Sequence, residues 1–231
     1  MRVADRPQPV GAPVAPPVAP SVAPTPAGPP PQMPSDEEQM AWDLRQLTLD
    51  ATPAPAPPPV ETPTEAEMAT FFAKVGGSLE QVRSATQLDW SGKRLTAGDC
   101  KVIAHLIAVK FMPVLNNMDL AGNDIEDDGA KAIAEALKVN PVLTILGLRG
   151  NGISADGAKA IAEALKVNAV LNFLDLRLNS IGVDGAKAIA EALKVNPVLT
   201  KLDLEFNDLG NAGKKAVRDA VKDRSGFVLK L

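Results

Sequence analysis

GAKAIAEALKVN occurs three times without a change, at Gly129–Asn140, Gly157–Asn168 and Gly185–Asn196, each copy starting 28 positions after the last. A fixed period of about 20 to 50 residues marks a stacked array rather than a globule with one unique core. Inside the first copy Ala130, Ile133, Ala134 and Leu137 recur at helical spacing, and Lys131, Glu135 and Lys138 fall on the opposite side. That pattern predicts an amphipathic helix. Asn140 and Asn196 are followed by Pro141 and Pro197. Asn tolerates a left-handed closing residue and Pro cannot continue a helix, so the helix is expected to end there in that conformation.

The segments between the blocks read LNNMDLAGNDI (Leu115–Ile125), LTILGLRGNGI (Leu143–Ile153), LNFLDLRLNSI (Leu171–Ile181) and LTKLDLEFNDL (Leu199–Leu209). Met118/Leu120, Leu146/Leu148, Leu174/Leu176 and Leu202/Leu204 alternate with polar or varied positions, which is a strand with period two. Strand plus helix in every unit requires consecutive parallel strands joined by right-handed crossovers.

The shared pattern L-x-x-L-x-L-x-x-N-x-I resembles the leucine-rich repeat family, and the 28-residue period is similar to its ribonuclease-inhibitor-like class. The resemblance covers about residues 78–231 and implies an α/β fold: a right-handed solenoid with a curved parallel sheet inside and helices outside. It also implies that Asn123, Asn151, Asn179 and Asn207 form a buried ladder, each amide bonding the backbone of the adjacent turn.

Both ends depart from the repeat. Leu88, Trp90 and Leu95 imitate a strand, with Lys93 in the Asn slot. Before them Thr64 and Glu67 form a capping box, followed by the apolar stripe Met68, Phe71, Phe72 and Val75 and closed by Gly76 and Gly77. Downstream, the last helix is polar and Phe227–Leu231 reads as a closing strand. Atypical end units are what a solenoid needs for solubility. The expected divisions are a cap at 64–87, repeats at 88–226 and a closing strand at 227–231.

Composition changes abruptly at residue 63. Eighteen of the 21 prolines lie in residues 1–63, which carry 3 basic and 7 acidic side chains; residues 64–231 carry 21 of each. The first part reads as an extended, Pro/Ala-rich and disordered tail. Within it SDEEQMAWDLRQLTLD (Ser35–Asp50) has a capping box at Ser35/Glu38 and a stripe of Met40, Leu44 and Leu47, with Trp42 alongside. This predicts a short amphipathic helix at about 36–48, suited to a groove on a partner through Trp42, Leu44 and Leu47.

The balanced charge, the lack of a long basic run and the few aromatics argue against nucleic acid. No apolar stretch is long enough to span a bilayer. A single cysteine, Cys100, leaves no internal disulfide, and no glycosylation sequon occurs; both favour a reducing compartment, the cytoplasm. His105 is the one histidine and sits on an apolar pattern, so Cys100 and His105 are not expected to act as a catalytic pair. No metal-ligand spacing or phosphate-binding glycine motif is present, and no cofactor is expected. Asp127, Asp128 and Asp156 read as helix-start residues.

The units differ chiefly at strand positions facing away from the helices. Ile145, Phe173, Leu178 and Phe206 are large and apolar there, with Arg149, Arg177 and Glu205 beside them. Apolar anchors rimmed by charge describe a protein interface. Phe173, Arg177 and Phe206 are expected to form one continuous anchor. The sequence therefore points to a non-catalytic adaptor or assembly subunit whose partners are proteins, a large multisubunit assembly among them. Two alternatives follow from resemblance, the first of repeat class and the second of layout. Ran GTPase-activating protein presents such an array to a GTPase, and tropomodulin joins a helix-bearing N-terminal segment to a short array, which implies an actin regulator.

Overall fold

The chain divides into two units, Met1–Pro55 and Ala56–Leu231. A computed structural model describes residues 62–231, all within the second unit. The tail segment 36–48, with Trp42, Leu44 and Leu47, lies outside the described residues.

Helix α1 (Glu65–Val75) and the short α2 (Leu79–Ser84) lead into strand β1 (Gln87–Asp89). Then follow α3 (Ala97–Ala108), β2 (Asn117–Asp119), α4 (Glu126–Val139), β3 (Ile145–Gly147), α5 (Ala155–Val167) and β4 (Phe173–Asp175). The chain ends with α6 (Gly182–Val195), β5 (Lys201–Asp203), α7 (Gly210–Val221) and β6 (Val228–Lys230). The strands form one parallel sheet in chain order, β1 to β6. Register never slips: Leu88, Met118, Leu146, Leu174, Leu202 and Leu229 stand opposite one another across the five pairs. Strands sit ~4.8 Å apart, whereas a helix is ~10 Å wide. Stacking one of each per unit therefore bends the array, with the sheet on the inside.

The core is a set of columns. Met118, Leu146, Leu174 and Leu202 are fully buried, as are Leu120, Leu148, Leu176 and Leu204 one pleat further on. Against them pack the inward faces of the helices, such as Ile133, Ile161 and Ile189. The invariant first glycine of each block has a packing reason. A Cβ on Gly185 would lie 2.6 Å from Ile181 and 2.9 Å from the Ala158 methyl, so only hydrogen lets neighbouring helices approach.

Two ladders of asparagine tie the units together. Asn179 donates to Leu148 O at 2.9 Å and Leu176 O at 3.0 Å, and accepts from Asn151 N at 2.9 Å and Ile153 N at 3.0 Å. Asn123, Asn151 and Asn207 repeat this role. The second ladder is Asn140, Asn168 and Asn196 at the helix ends, and it corrects the expectation for Asn140 and Asn196. These residues are extended, with φ of −78°, −73° and −90°, not left-handed. Their side chains stop the helix instead. Asn168 Oδ1 accepts from Val170 N and Leu171 N, and its Nδ2 donates 2.7 Å to Leu137 O of the preceding unit.

The first unit is sealed by α1. Thr64 and Glu67 form the expected capping box. Phe71 is fully buried and meets Trp90 edge-on, ring centroids 5.2 Å apart. Lys74 reaches Asp99 at 2.6 Å. Burial opposes the Asp99 charge, but hydrogen bonds from Lys74 and Thr96 outweigh it and hold this carboxyl below its ordinary value. At the other end Arg224 stacks 4.6 Å from the Phe227 ring, and Phe227, Leu229 and Leu231 pack on the core.

Candidate functional site

The exposed face of the sheet is built on a repeated local device. Asp89, Asp119, Asp175 and Asp203 end strands β1, β2, β4 and β5, and each accepts the backbone N–H two residues on, at 3.0, 2.9, 3.0 and 3.3 Å. These carboxylates shape the turn leaving the strand. Strand β3 ends in Gly147 instead.

Arg177 is the best-anchored basic group on this face. Its Nη2 lies 2.6 Å from Asp175 Oδ2, its Nε bonds both oxygens, and it stands 3.5 Å from Asp203. Lys230 approaches Asp203 at 3.4 Å from the closing strand. Burial opposes the Asp175 charge, but its bonds with Arg177 prevail and hold that carboxyl below its ordinary range. The same bonds push the Arg177 pKa further up, so the guanidinium stays charged.

Ile145, Arg149, Phe173 and Arg177 share one cleft of about 350 Å³, whose walls also include Asp119 and Asp175. Lys201, opposite Phe173 in register, places its ammonium 4.1 Å from the centre of that ring. A cation held there is attracted by the ring's negative face. Four of the residues expected at a partner surface are thus brought together.

Leu178, Glu205 and Phe206 do not line that cleft. Like Arg149 and Arg177, they lie just beyond the strand ends, and the Glu205 charge acts on Arg177. Phe206 lines a different hollow of about 470 Å³ with Glu205, Lys214 and Leu231. The single anchor of Phe173, Arg177 and Phe206 read from the sequence is therefore two neighbouring features. Phe206 lies several residues beyond Lys201, the true register partner of Phe173.

Leu178 and Phe206 occupy a position that the earlier units fill with glycine. Gly122 and Gly150 have φ of +66° and +64°; Leu178 and Phe206 follow at +55° and +61°. The ladder fixes this backbone, since the N–H groups of Gly122, Gly150 and Leu178 each donate to the next unit. An L-residue held left-handed is disfavoured by roughly 1–2 kcal/mol. Leu178 is nevertheless 44% exposed and Phe206 73% exposed, so neither is repaid by burial. Backbone cost accepted at exposed apolar side chains marks a candidate contact. Aligning the units by their glycines would have revealed this from sequence.

The helical side is chemically quieter. Lys131, Lys159 and Lys187 pair with Asp128, Asp156 and Asp184 on the same helix, and Lys138, Lys166 and Lys194 with Glu135, Glu163 and Glu191. Asp127 also links units, accepting from Ser154 N at 2.8 Å and Gly157 N at 2.9 Å at the start of the next helix. Cys100 is buried, and burial followed by the nearby Asp99 charge pushes its thiol up to about 12. It is a packed thiol, not a thiolate. His105 is half-buried on the same helix. Among the described residues no helix is long and apolar enough to cross a membrane.

A family model described as Leucine Rich repeat matches four consecutive spans, residues 114–134, 139–162, 167–190 and 195–217. The array is a leucine-rich repeat domain. A comparison with curated protein sequences finds no match. Among solved structures the leucine-rich repeat array is similar to "Leiomodin-1 Actin-Binding Site 2 (ABS2)", with a TM-score of 0.53 and 24% identity over 70% of this chain and 90% of that one. It is also similar to a tropomodulin C-terminal domain from Caenorhabditis elegans, with a TM-score of 0.51 and 15% identity over 69% of this chain and 92% of that one. At these identities the likeness establishes the fold.

Proposed function

We propose that this leucine-rich repeat protein is a non-catalytic adaptor or assembly subunit that holds a protein partner against its strand face and the rim beyond it. One observation carries the reading. Three helical blocks are identical, whereas the strand face varies: one position is Asn117, Ile145, Phe173 and Lys201 in turn, and another, glycine in the earlier units, carries Leu178 and Phe206 on a disfavoured backbone. Scaffold is kept constant while surface is individualised. The segment around Trp42, Leu44 and Leu47 supplies a second docking element on a proline-rich tether. The lone buried Cys100 suits a reducing compartment, the cytoplasm.

The test is partner retention by the tagged full chain, with circular dichroism as a folding control. Ile145→Ala with Phe173→Ala should weaken retention, and so should Leu178→Gly with Phe206→Gly. Lys159→Ala with Lys187→Ala should leave it unchanged. Loss of the partner in the lysine variant alone would move the interface to the helical side.

A second reading is supported by the likeness to the leiomodin-1 and tropomodulin domains: the partner is actin and the protein regulates filaments. Co-sedimentation with actin filaments decides it. A full chain that stays in the supernatant at high filament concentration, and leaves polymerisation unchanged, removes this reading and leaves the adaptor reading standing.

A further inference from the structure

Arg149 and Arg177 are the same position in successive units, 28 residues apart, yet their surroundings differ. Arg177 has an aspartate two residues before it, and the two side chains lock together through three hydrogen bonds of 2.6–3.1 Å. Arg149 has Gly147 two residues before it. Its side chain is exposed and makes no hydrogen bond or ion pair among the described residues; it acts on Asp175 only through space. The counter-ion that the fold supplies to one arginine is missing for the other.

The missing carboxylate leaves a shaped gap. Gly147 floors the cleft between Asp119 and Asp175, and a Cβ built there would lie 2.7 Å from Asp119 Oδ1. That oxygen accepts the N–H of Ala121 at 2.9 Å. Because Gly147 puts no side chain there, the slot is open to one arriving from solvent. Ile145 and Phe173, opposite each other in register, form an apolar wall at one end of it.

We propose that this slot takes an aspartate or glutamate side chain from a partner protein, whose carboxylate completes Arg149 as Asp175 completes Arg177. The inference rests on the reading of this face as a protein-binding surface. Charge supports the choice of occupant. Asp175 and Asp203 already sit on adjacent strands with Arg177 between them, bonded to the first and 3.5 Å from the second. A carboxylate beside Gly147 would give Arg149 the same bridging position, with Asp175 as the second acid. A guanidinium–carboxylate pair forms short, charge-assisted, bidentate hydrogen bonds. Ile145 and Phe173 then favour an apolar residue two positions away on an extended partner segment, since alternate side chains share a face.

The proposal is tested with the full chain and three labelled 12-residue peptides, alternating Leu with Glu, Gln or Lys. The Glu peptide should bind at least about tenfold more tightly than the Gln peptide, by fluorescence polarisation. Its amide shifts should centre on Gly147 and Arg149. Arg149→Ala should remove that preference, and Arg149→Lys should restore part of it, because a point charge replaces a planar fork. Gly147→Asp should also abolish it by filling the slot from within. If that variant unfolds, the two Arg149 variants still decide. Equal binding of the Glu and Gln peptides overturns the proposal. So does preference for the Lys peptide, which would make Asp119 the recognising group, or an undiminished preference in Arg149→Ala. Shifts confined to the strand face without a carboxylate preference would overturn this inference while leaving the interface reading intact.

Discussion

The helical side and the strand side of this array are built from the same 28-residue unit under opposite rules. On the helices the outward charges are satisfied within each unit: Lys159 bonds Asp156 and Lys166 bonds Glu163. On the strands, side chains reach from unit to unit or into solvent: Lys201 covers Phe173, Arg177 spans two aspartates, and Arg149 is left open. A surface that neutralises itself offers little to a partner. A surface whose groups are completed only by neighbours can also be completed by another molecule.

The comparison breaks most visibly in the core the two sides share. Leu174→Ala removes a fully buried side chain from the middle of a column and should destabilise by ~2–5 kcal/mol in chemical denaturation. A cost near zero would mean that the columns are not continuous. Asn179→Ala comes next. It removes the acceptor for the N–H groups of Asn151 and Ile153, which lie in the adjacent turn, at a cost of about 1–3 kcal/mol. Hydrogen exchange should show these two amides losing protection first.

Acid sharpens the contrast. Asp99, Asp127 and Asp175 have pKa values below their ordinary 3.8, so their stabilising effect is complete above that value and is lost as pH falls through the folded-state values. Denaturant midpoints should therefore hold from neutral pH to about 5 and fall below about 4. Substituting Asp175 by Asn should flatten that fall.

The rim gives a change of opposite sign. Phe206→Gly places the residue of the earlier units at a left-handed position and should leave stability unchanged or raise it by up to ~1 kcal/mol. A clear loss of stability would show that the Phe206 ring supports the fold, and the rim would then cease to be a candidate contact. The smallest effect belongs to the helices. Lys159→Ala and Lys187→Ala should each change stability by less than ~0.5 kcal/mol, as exposed ion pairs do.

How far the sequence could be read follows from the same division. Periodicity fixes what every unit repeats, so the leucine columns, the ladder from Asn123 to Asn207 and the parallel order were all legible. What depends on one side chain meeting another across units was not. Asn140 and Asn196 looked like left-handed helix ends, yet their side-chain oxygens accept from the next loop, and Asn196, like Asn168, also donates to the previous unit. Phe173 and Phe206 looked like neighbours because both are apolar and on adjacent units. Their register shows otherwise: Phe173 opposes Lys201, and Phe206 lies past the end of β5. The contrast between Arg149 and Arg177 was in the sequence all along as Gly147 against Asp175, but its meaning required the hydrogen bonds.

Identical blocks have a kinetic consequence for refolding. A helix from one unit meets the same surface whether it stacks on its proper neighbour or one unit away. Within α4 to α6 the core cannot count. The number of units is set by what is not repeated: Trp90 over Phe71 at one end, Arg224 and Phe227 at the other, and the individual side chains of the strands between. A chain that collapses from its middle can therefore stack one rung out of step and must come apart to correct itself. A chain that closes first onto either end has its place in the stack decided before the interchangeable units arrive.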